Sequence, residues 1–312
     1  MKKLLFVYNP HSGKALIKNK LMEIIDIFTR NGYEVTAYPT QHALDGYDKV
    51  CDADGKYDVI VCSGGDGTLN EVISAAVRHR ISKPVIGYIP AGSTNDFANT
   101  LQIPKNMVKA AIQVATGVPF TCDLGKMNGR YFNYIAAFGV FTDVSYNTPQ
   151  NMKNLLGHQA YILESLKSLS KIKTYHLNVY CNGLTLKGSY IYGGVSNSDY
   201  VAGIKGVAGP DVSLNDGLFE VILVKEPTNA LELQQIVAGV FSKNQESPMV
   251  ERFKTNRIVI ESEQEIAWTV DGENGDSHQR VEIVVARNAV NIIVDPKKLC
   301  IEDKQSDQMM LE

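Results

Sequence analysis

The stretch VIVCSGGDGTLNEVISAAV, residues 59–77, decides the fold of the first half of this chain. Its first four residues, Val59 to Cys62, are apolar and typical of a buried strand. Residues 63–68 contain three glycines, and from Leu69 the apolar residues recur at helical spacing. The stretch therefore predicts a strand, a glycine-rich turn and a helix.

Such a turn is suited to binding a phosphate group. The first N–H groups of a helix and the positive end of its dipole point to one place, and Gly64, Gly65 and Gly67 let the backbone approach an anion closely. Asp66 would repel a bare phosphate, which indicates a cation between the two. A glycine-rich turn without a ligand is the alternative that the two glycines alone leave open.

GGDGT followed by LNEV, residues 64–72, resembles the signature of the diacylglycerol kinase catalytic domain family. That family includes soluble bacterial diacylglycerol kinases, related phospholipid kinases, and sphingosine and ceramide kinases. NAD kinases share the GGDGT core, and phosphofructokinases share it loosely. The core by itself therefore indicates a kinase superfamily and leaves the substrate open.

Two more turns follow the same plan. NPHSGK, residues 9–14, lies between the predicted strand Lys3–Tyr8 and a helical pattern over residues 16–30, and it lacks the spacing of a Walker A loop. PAGSTNDFA, residues 90–98, follows the predicted strand Pro84–Ile89 and resembles the second glycine motif of the same family. Its Phe97-Ala98 differs from the usual NAD kinase form and favours the lipid kinase branch.

The resemblance implies that ATP binds to these loops and to the end of a strand at Glu34–Pro39. The implied ATP-binding residues are Asn9, Ser12, Gly13, Thr40, Gly64, Gly65, Asp66, Gly67, Thr68, Asn70, Gly92, Ser93, Thr94 and Asn95. Strands alternate with helices up to about residue 117, which predicts a Rossmann-like (NAD-kinase-like) parallel α/β domain. Ligands of such sheets bind beyond the carboxyl ends of the strands.

After residue 117 the chain changes to short β-rich segments. Asn182-Gly183 between two alternating runs is a strong hairpin signal. The pattern predicts a mainly antiparallel β-sandwich, interrupted by helical patterns at about 157–169 and 228–241. The predicted strands are 121–127, 130–136, 175–181, 185–197, 218–224, 257–262, 266–271, 281–285 and 290–294. The predicted domains are a nucleotide-binding domain over residues 1–120, completed by about 295–312 according to the resemblance, and a lipid-substrate domain over 121–294.

WTVDGE, residues 268–273, is the candidate for the group that takes the proton of the substrate hydroxyl. Asp-Gly places two carboxylates at a turn, and a polar hairpin without function is the alternative. The resembled family has V-D-G-E here and uses its Glu as the base for the lipid hydroxyl. This implies a catalytic role for Glu273, with Asp271 in support of Glu273 or of the metal.

GPDVSLNDGLF, residues 209–219, resembles a family stretch that forms a structural magnesium site. The implied ligands are Ser213, Asp216 and Leu218, and magnesium prefers such oxygen ligands. An Asx turn before a strand is the alternative. The region 151–190, with five lysines among apolar residues, is interpreted as a solvated helix packed on the second domain, with a lipid-binding face as the alternative.

Composition narrows the function further. A net charge of −3 argues against a protein that binds polyanions in general. We therefore expect no nucleic-acid partner. No apolar run approaches the roughly 20 residues of a membrane span. The five scattered cysteines are typical of reduced cytosolic thiols.

Together, the motifs predict an ATP- and Mg²⁺-dependent lipid kinase that phosphorylates a neutral lipid, with diacylglycerol converted to phosphatidic acid as the first choice. The alternatives are phosphatidylglycerol, a sphingoid base or NAD as acceptor, or a catalytically inactive nucleotide-binding regulator. The expected location is the cytoplasm, with peripheral and transient contact at the inner membrane face. A homodimer is left open.

Overall fold

The structure is a computed structural model that describes residues 1–79, 84–140, 142, 173–201, 203–206, 208–209, 212–241 and 247–298. The chain divides into two compact units. The first unit comprises Met1–Asp123 and Arg287–Glu312, and the second comprises Leu124–Ala286. Two strands, β5 (Val118–Met127) and β15 (Glu273–Val294), carry the chain from one unit to the other.

The first unit is built from alternating strands and helices. Its strands before the crossing are β1 (Lys2–Tyr8), β2 (Tyr33–Pro39), β3 (Val59–Gly64) and β4 (Val85–Pro90). Its helices are α1 (Ile17–Arg30), α2 (Asp45–Cys51), α3 (Asp66–Ala76), α4 (Asp96–Thr100) and α5 (Met107–Thr116). The strands pair in parallel in the order β2-β1-β3-β4, and the last part of β15 pairs in parallel with β4.

Burial of apolar residues explains these elements. In β1 and β3 both faces of the strand are buried, so their sequences are almost continuously apolar rather than alternating. Helix α1 instead buries one stripe, formed by Ile17, Ile24 and Phe28. The ring of Phe28 packs edge-on against Phe6 of β1, with 5.9 Å between the ring centroids. Because β1, β2, β3 and β4 are parallel, all four end at the same edge of the sheet, and the loops that follow them begin there.

The second unit is rich in antiparallel strands. Its strands besides β5 and β15 are β6 (Arg130–Phe132), β7 (Ile135–Gly139), β8 (Tyr175–Cys181), β9 (Leu184–Ser196), β10 (Tyr200–Val201), β11 (Ile204–Lys205), β12 (Phe219–Lys225), β13 (Val250–Thr255) and β14 (Arg257–Val270), and its helix α6 covers Ala230–Phe241. Strand β7 pairs with β9 and β14, and β8 pairs with the same two strands. These four strands close around a core that includes Phe138 and Trp268, whose ring centroids are 5.0 Å apart.

Several predicted boundaries differ from the structure. The predicted strand 130–136 is broken at Asn133-Tyr134, which belong to a turn. The predicted segments 257–262 and 266–271 form one strand, β14, which ends at Val270 and has register shifts between Glu261 and Ile266 and between Ala267 and Thr269. Likewise, 281–285 and 290–294 are parts of one strand, β15. The polar residues inside these long strands resemble turn signals in the sequence, but strand pairing carries the backbone through them.

Four of the described elements were not predicted: helix α2 and strands β10, β11 and β13. The sequences of α2 and β13, DGYDKVC and VERFKT, carry neither a clear helical stripe nor a clean alternation, and β10 and β11 have only two residues each. The helical pattern predicted at 157–169 lies outside the described residues, as does most of the basic region 151–190. In the part of the chain that the structure describes, no helix has the length and apolar character required to cross a membrane.

Candidate active site

Backbone hydrogen bonds align the loops at the carboxyl edge of the first unit. The N–H of Asn9 donates to Ser63 O at 2.8 Å, and the N–H of Ala91 donates to Gly64 O at 2.8 Å. The N–H of Thr40 donates to Tyr8 O at 2.9 Å. The loops after β1, β2, β3 and β4 therefore start side by side, which brings the predicted ATP-binding segments together within this unit.

Glycine backbone forms the contacts between these loops. A Cβ on Gly13, which has φ +55°, would lie 2.2 Å from the carbonyl oxygen of Ala91. A Cβ on Gly92 would lie 2.7 Å from the Cα of Gly65. Because real Cβ atoms do not approach other atoms this closely, the arrangement requires glycine at both positions.

Asn95 fastens the loop after β4. It adopts a left-handed backbone conformation with φ +53°. Its side-chain Oδ1 accepts the N–H of Gly92 at 3.0 Å, and its Nδ2 donates to Gly92 O at 2.7 Å. The hydroxyl of the buried Tyr88 lies 3.3 Å from Asn95 Oδ1 and 3.2 Å from Gly64 O. The predicted ATP-binding side chain of Asn95 is thus engaged with its own loop and with β4.

The loop after β3 leads directly into helix α3. Gly65 is the N-cap residue in extended conformation and has no side chain with which to cap the helix, and Asp66 is the first helical residue. Intrahelical bonds leave the first N–H groups of a helix available to an acceptor. Thr68 folds back so closely that a Cβ on Gly64 would lie 2.4 Å from its side chain. The structure therefore places backbone donors and the half-buried Asp66 together at this edge.

The remaining predicted ATP-binding residues lie around the same loops. Ser12 donates its N–H to Asn9 O, Thr94 O accepts from the side chain of Asn99, and Asn70 Oδ1 accepts from Ser74 Oγ within α3. Ser93 is exposed, whereas Thr40 is buried.

Asp45 holds the loop that starts at Thr40, a role that sequence analysis missed. Its carboxylate accepts the N–H of Gln41 at 2.6 Å and the hydroxyl of Tyr38 at 2.7 Å. These two hydrogen bonds lower the pKa of Asp45, with the Gln41 N–H as the larger cause. The bond to Asp45 also raises the pKa of Tyr38.

In the second unit, the predicted acceptor residues form a tight hairpin between β14 and β15. Val270 pairs with Glu273, and the two connecting residues have positive φ, +50° at Asp271 and +81° at Gly272. Two consecutive positive φ angles define a type I′ turn, for which Asp-Gly is a preferred sequence. The polar hairpin considered from the sequence is therefore present.

Asp271 is buried and binds the turn between β6 and β7. Its Oδ2 accepts the N–H of Asn133 at 2.7 Å, and its Oδ1 accepts the N–H groups of Tyr134 and Ile135 at 3.0 and 3.1 Å. The Asp271 N–H donates to Ile135 O at 2.9 Å. This carboxylate, on a residue that is 4% exposed, joins two segments separated by more than a hundred residues.

Glu273 differs, since its side chain is 52% exposed. Its Oε2 lies 3.4 Å from Nη2 of Arg130 on β6. Nη1 of the same guanidinium donates to the backbone oxygen of Asn274 at 2.7 Å. The hairpin therefore presents one carboxylate to the surface and buries the other.

The segment predicted as a magnesium site has the contacts of an Asx turn. Asp216 Oδ1 accepts the N–H of Leu218 at 3.0 Å, and Ser213 Oγ lies 3.3 Å from Asn215 Oδ1. Nζ of Lys254 lies 3.7 Å from Asp216 Oδ2 and 3.0 Å from Glu220 Oε1. Burial raises the pKa of the Glu220 carboxyl. Among the described residues, no group of three or more His, Cys, Asp or Glu side chains is arranged to hold a metal ion.

Comparison with known proteins identifies the family. Residues 3–127 match the family model of the diacylglycerol kinase catalytic domain, and residues 136–294 match the model of the YegS C-terminal NAD kinase beta sandwich-like domain. A diacylglycerol kinase from Bacillus subtilis (strain 168) is 32% identical over 277 residues, which cover 88% of this chain and 91% of the relative. The chain belongs to the diacylglycerol kinase catalytic domain family.

Other relatives agree with this membership. A diacylglycerol kinase from Staphylococcus aureus (strain JH9) is 35% identical over 278 residues, which cover 88% of this chain and 87% of the relative. A crystal structure of a diacylglycerol kinase from Bacillus anthracis str. Sterne has a TM-score of 0.76 at 23% identity, and the match covers 95% of this chain and 98% of that chain. At this identity the structural likeness concerns the fold alone.

The family resemblance drawn from GGDGT and PAGSTNDFA is confirmed. Diacylglycerol kinases are lipid kinases, so the expected enzyme class is confirmed as well, and membership in a kinase family implies the use of ATP. The expected combination of a mixed α/β part with a β-rich C-terminal domain agrees with the family at that coarse level.

Arg130, Tyr88 and the turn 133–134 were missed by sequence reasoning. A basic residue after Asn128-Gly129 could have been noted as flanking a hairpin, but nothing in the sequence pairs it with Glu273. The turn 133–134 falls within a run of mostly apolar residues whose pattern predicts a continuous strand.

Proposed function

We propose that this protein transfers the γ-phosphate of ATP to the free hydroxyl of a neutral lipid, with diacylglycerol as the first candidate and phosphatidic acid as its product. The observation that carries the proposal is the exposed Glu273 carboxylate, held on a structured hairpin in a chain of this family. A proton acceptor for a substrate must be both accessible and oriented. Glu273 meets both conditions, whereas the buried Asp271 serves as its support.

The first unit, a Rossmann-like parallel α/β domain in this proposal, binds ATP. Gly65 presents its backbone without a side chain, and the N-terminal turn of α3 that follows it supplies N–H donors. We assign the phosphates to Gly64, Gly65, Gly67 and Thr68, with Ser12, Gly13, Ser93 and Thr94 beside them. Asn95 contributes by holding Gly92, through the two hydrogen bonds described above.

Asp66 is suited to hold a magnesium ion that accompanies ATP. It is a half-buried carboxylate at the first position of α3, next to the proposed phosphate donors, and carboxylate oxygen is a preferred ligand of Mg²⁺. The ion would neutralise charge on the phosphates. The site predicted at Ser213, Asp216 and Leu218 stays a prediction, because the cation that the described structure places at Asp216 is Lys254.

Glu273 completes the chemistry in the second unit, which we propose as the lipid-substrate domain. The oxygen of the lipid hydroxyl forms a bond to the γ-phosphorus while the bond from that phosphorus to the ADP oxygen breaks. The hydroxyl proton passes to a carboxylate oxygen of Glu273. Since an alcohol is far less acidic than a carboxylic acid, Glu273 first orients the hydroxyl and takes the proton late. Access to such a lipid requires contact with a membrane surface, which we place at the cytoplasmic face.

The test measures phosphate transfer from labelled ATP to acceptors in mixed micelles: diacylglycerol, phosphatidylglycerol, sphingosine and ceramide, with NAD in solution. We expect label on diacylglycerol. Label only on another acceptor would replace the substrate assignment. Binding of ATP without turnover on any acceptor would favour the inactive regulator.

The same assay tests Glu273. We expect Glu273→Gln to bind ATP like the wild type and to lose about 10²- to 10⁴-fold in kcat, because only the proton acceptor is removed. Asp276→Asn, at another exposed carboxylate of β15, is the matched control and should keep the wild-type kcat. Near-normal turnover of Glu273→Gln would overturn the assignment of the base.

A further inference from the structure

Arg130 reaches two groups at the start of β15. Nη1 donates to the backbone oxygen of Asn274 at 2.7 Å, and Nη2 lies 3.4 Å from Oε2 of Glu273. The Arg130 side chain is 41% exposed and that of Glu273 is 52% exposed. One guanidinium thus contacts the backbone of the hairpin through Nη1 and the exposed carboxylate through Nη2.

The backbone that carries Arg130 is itself fastened to β15. Asn128 and Gly129 form a type I′ turn with φ +46° and +95°. The Asn128 side chain accepts the N–H of Glu282 at 2.9 Å and donates to Arg280 O at 3.2 Å, and the Asn128 N–H donates to Glu282 O at 3.0 Å. Arg130 therefore starts from a fixed position relative to the strand that it contacts.

The contacts of Arg130 are better suited to orienting the Glu273 carboxylate than to stabilising the fold. An exposed ion pair contributes little to folding, since solvent screens the charges and the long side chains lose freedom. A guanidinium, however, is planar and presents its donors as a rigid fork. With one donor anchored on the Asn274 carbonyl, the direction of the other toward Glu273 is set.

We propose that Arg130 is a positioning residue for phosphoryl transfer, which holds the Glu273 carboxylate in the orientation that accepts the hydroxyl proton. This inference rests on the proposed role of Glu273. Two other arginines serve as comparison: Arg257 contacts Glu282 at 2.7 Å, and Arg280 contacts Glu261 at 3.1 Å. Both pairs join side chains along β14 and β15 away from the Asp-Gly turn.

The experiment compares Arg130→Met with Arg280→Met in the mixed-micelle assay. Both arginines are exposed and each contacts one glutamate, so both variants lose one exposed ion pair, and Arg130→Met also loses the hydrogen bond to Asn274 O. We expect Arg130→Met to lower kcat about 10- to 100-fold, since a misplaced catalytic group is costly, and to leave the affinity for ATP and the Tm near wild type. Arg280→Met should keep the wild-type kcat. Arg130→Lys should fall between, because an ammonium keeps the charge without the fork.

A double-mutant cycle separates this role from a structural one. If Arg130 acts through Glu273, Arg130→Met should cause no further loss in the Glu273→Gln background. A full additional loss there, or an unchanged kcat in Arg130→Met alone, would overturn the inference and leave the role of Glu273 intact. A Glu273→Gln variant with near-normal turnover would instead overturn the proposed function, whatever the Arg130 variants do.

Discussion

The loops of the first unit meet through backbone atoms, whereas the hairpin between β14 and β15 in the second unit is held by charged side chains. At the loops, Gly13 lies against the Ala91 carbonyl and Gly92 against Gly65. At the hairpin, Asp271 binds three N–H groups and Arg130 binds Glu273. A methyl group added at one of these glycines should therefore disturb the loops of the first unit. Loss of one of these charged side chains should disturb the hairpin of the second unit.

The contrast has a chemical reason. A phosphate group is recognised by many backbone donors at short range, which requires the absence of side chains. A hydroxyl proton must be taken by one carboxylate with a defined direction, which requires side chains that hold it. In the first unit the glycines therefore determine how the loops are arranged. In the second unit the arrangement depends on the partners of two carboxylates, Asp271 and Glu273.

The largest expected effect tests the backbone contacts of the first unit. Gly13→Ala should weaken ATP binding about a hundredfold, equivalent to about 2.7 kcal/mol, because its Cβ would lie 2.2 Å from Ala91 O and the loops must separate. Isothermal titration calorimetry with ATP measures the change.

Gly32→Ala is the matched control for this variant. Gly32 also has positive φ, +84°, but an added Cβ meets nothing within 4 Å. The substitution should cost about 1 kcal/mol of stability through the strained backbone and leave ATP binding unchanged. Equal ATP affinity of Gly13→Ala and Gly32→Ala would contradict the importance of the close backbone contact at Gly13, and with it the contrast drawn between the loops and the hairpin.

The next effect tests Asp271 as a support. Asp271→Asn replaces one acceptor oxygen by an NH₂ group that faces backbone N–H donors, and at least one donor loses its partner. We expect a loss of about 2 kcal/mol in the free energy of unfolding, measured by urea denaturation. Asp276→Asn on the same hairpin, whose residue is exposed, should stay within about 0.5 kcal/mol of wild type. If Asp271→Asn had the stability of the wild type, the proposed support of the turn between β6 and β7 by the Asp271 carboxylate would be contradicted.

The smallest effect concerns Asp45, a carboxylate that holds the loop after β2. Its pKa in the folded protein is below the usual value of 3.8, so its carboxylate stabilises the fold above that value. The contribution is lost as the pH falls through the folded pKa. Asp45→Asn should therefore show a shallower loss of stability on acidification below about pH 4, measured by thermal unfolding across pH. Parallel curves for variant and wild type would show that the carboxylate has no such role.

Local features of this protein were predictable to a large extent. The strands β1 and β3, helix α1 and the Asn182-Gly183 hairpin follow from apolar runs, helical spacing and turn residues within a few positions of each other. The family motifs are also continuous strings. By contrast, the sequence predicts two strands where β14 is one, because Glu263, Gln264 and Glu265 have the polar character of a loop. Pairing with neighbouring strands outweighs that local signal.

By itself, the sequence determined the alternation of strands and helices, the glycine loops, the Asp-Gly turn and the kinase family, since each depends on residues that are close in the chain. Only the tertiary structure decided which carboxylate of the turn is buried and which is exposed. That difference depends on partners far away in sequence: Asn133 is 138 residues from Asp271, and Arg130 is 143 residues from Glu273. No spacing rule links such positions, because strand pairing brings them together.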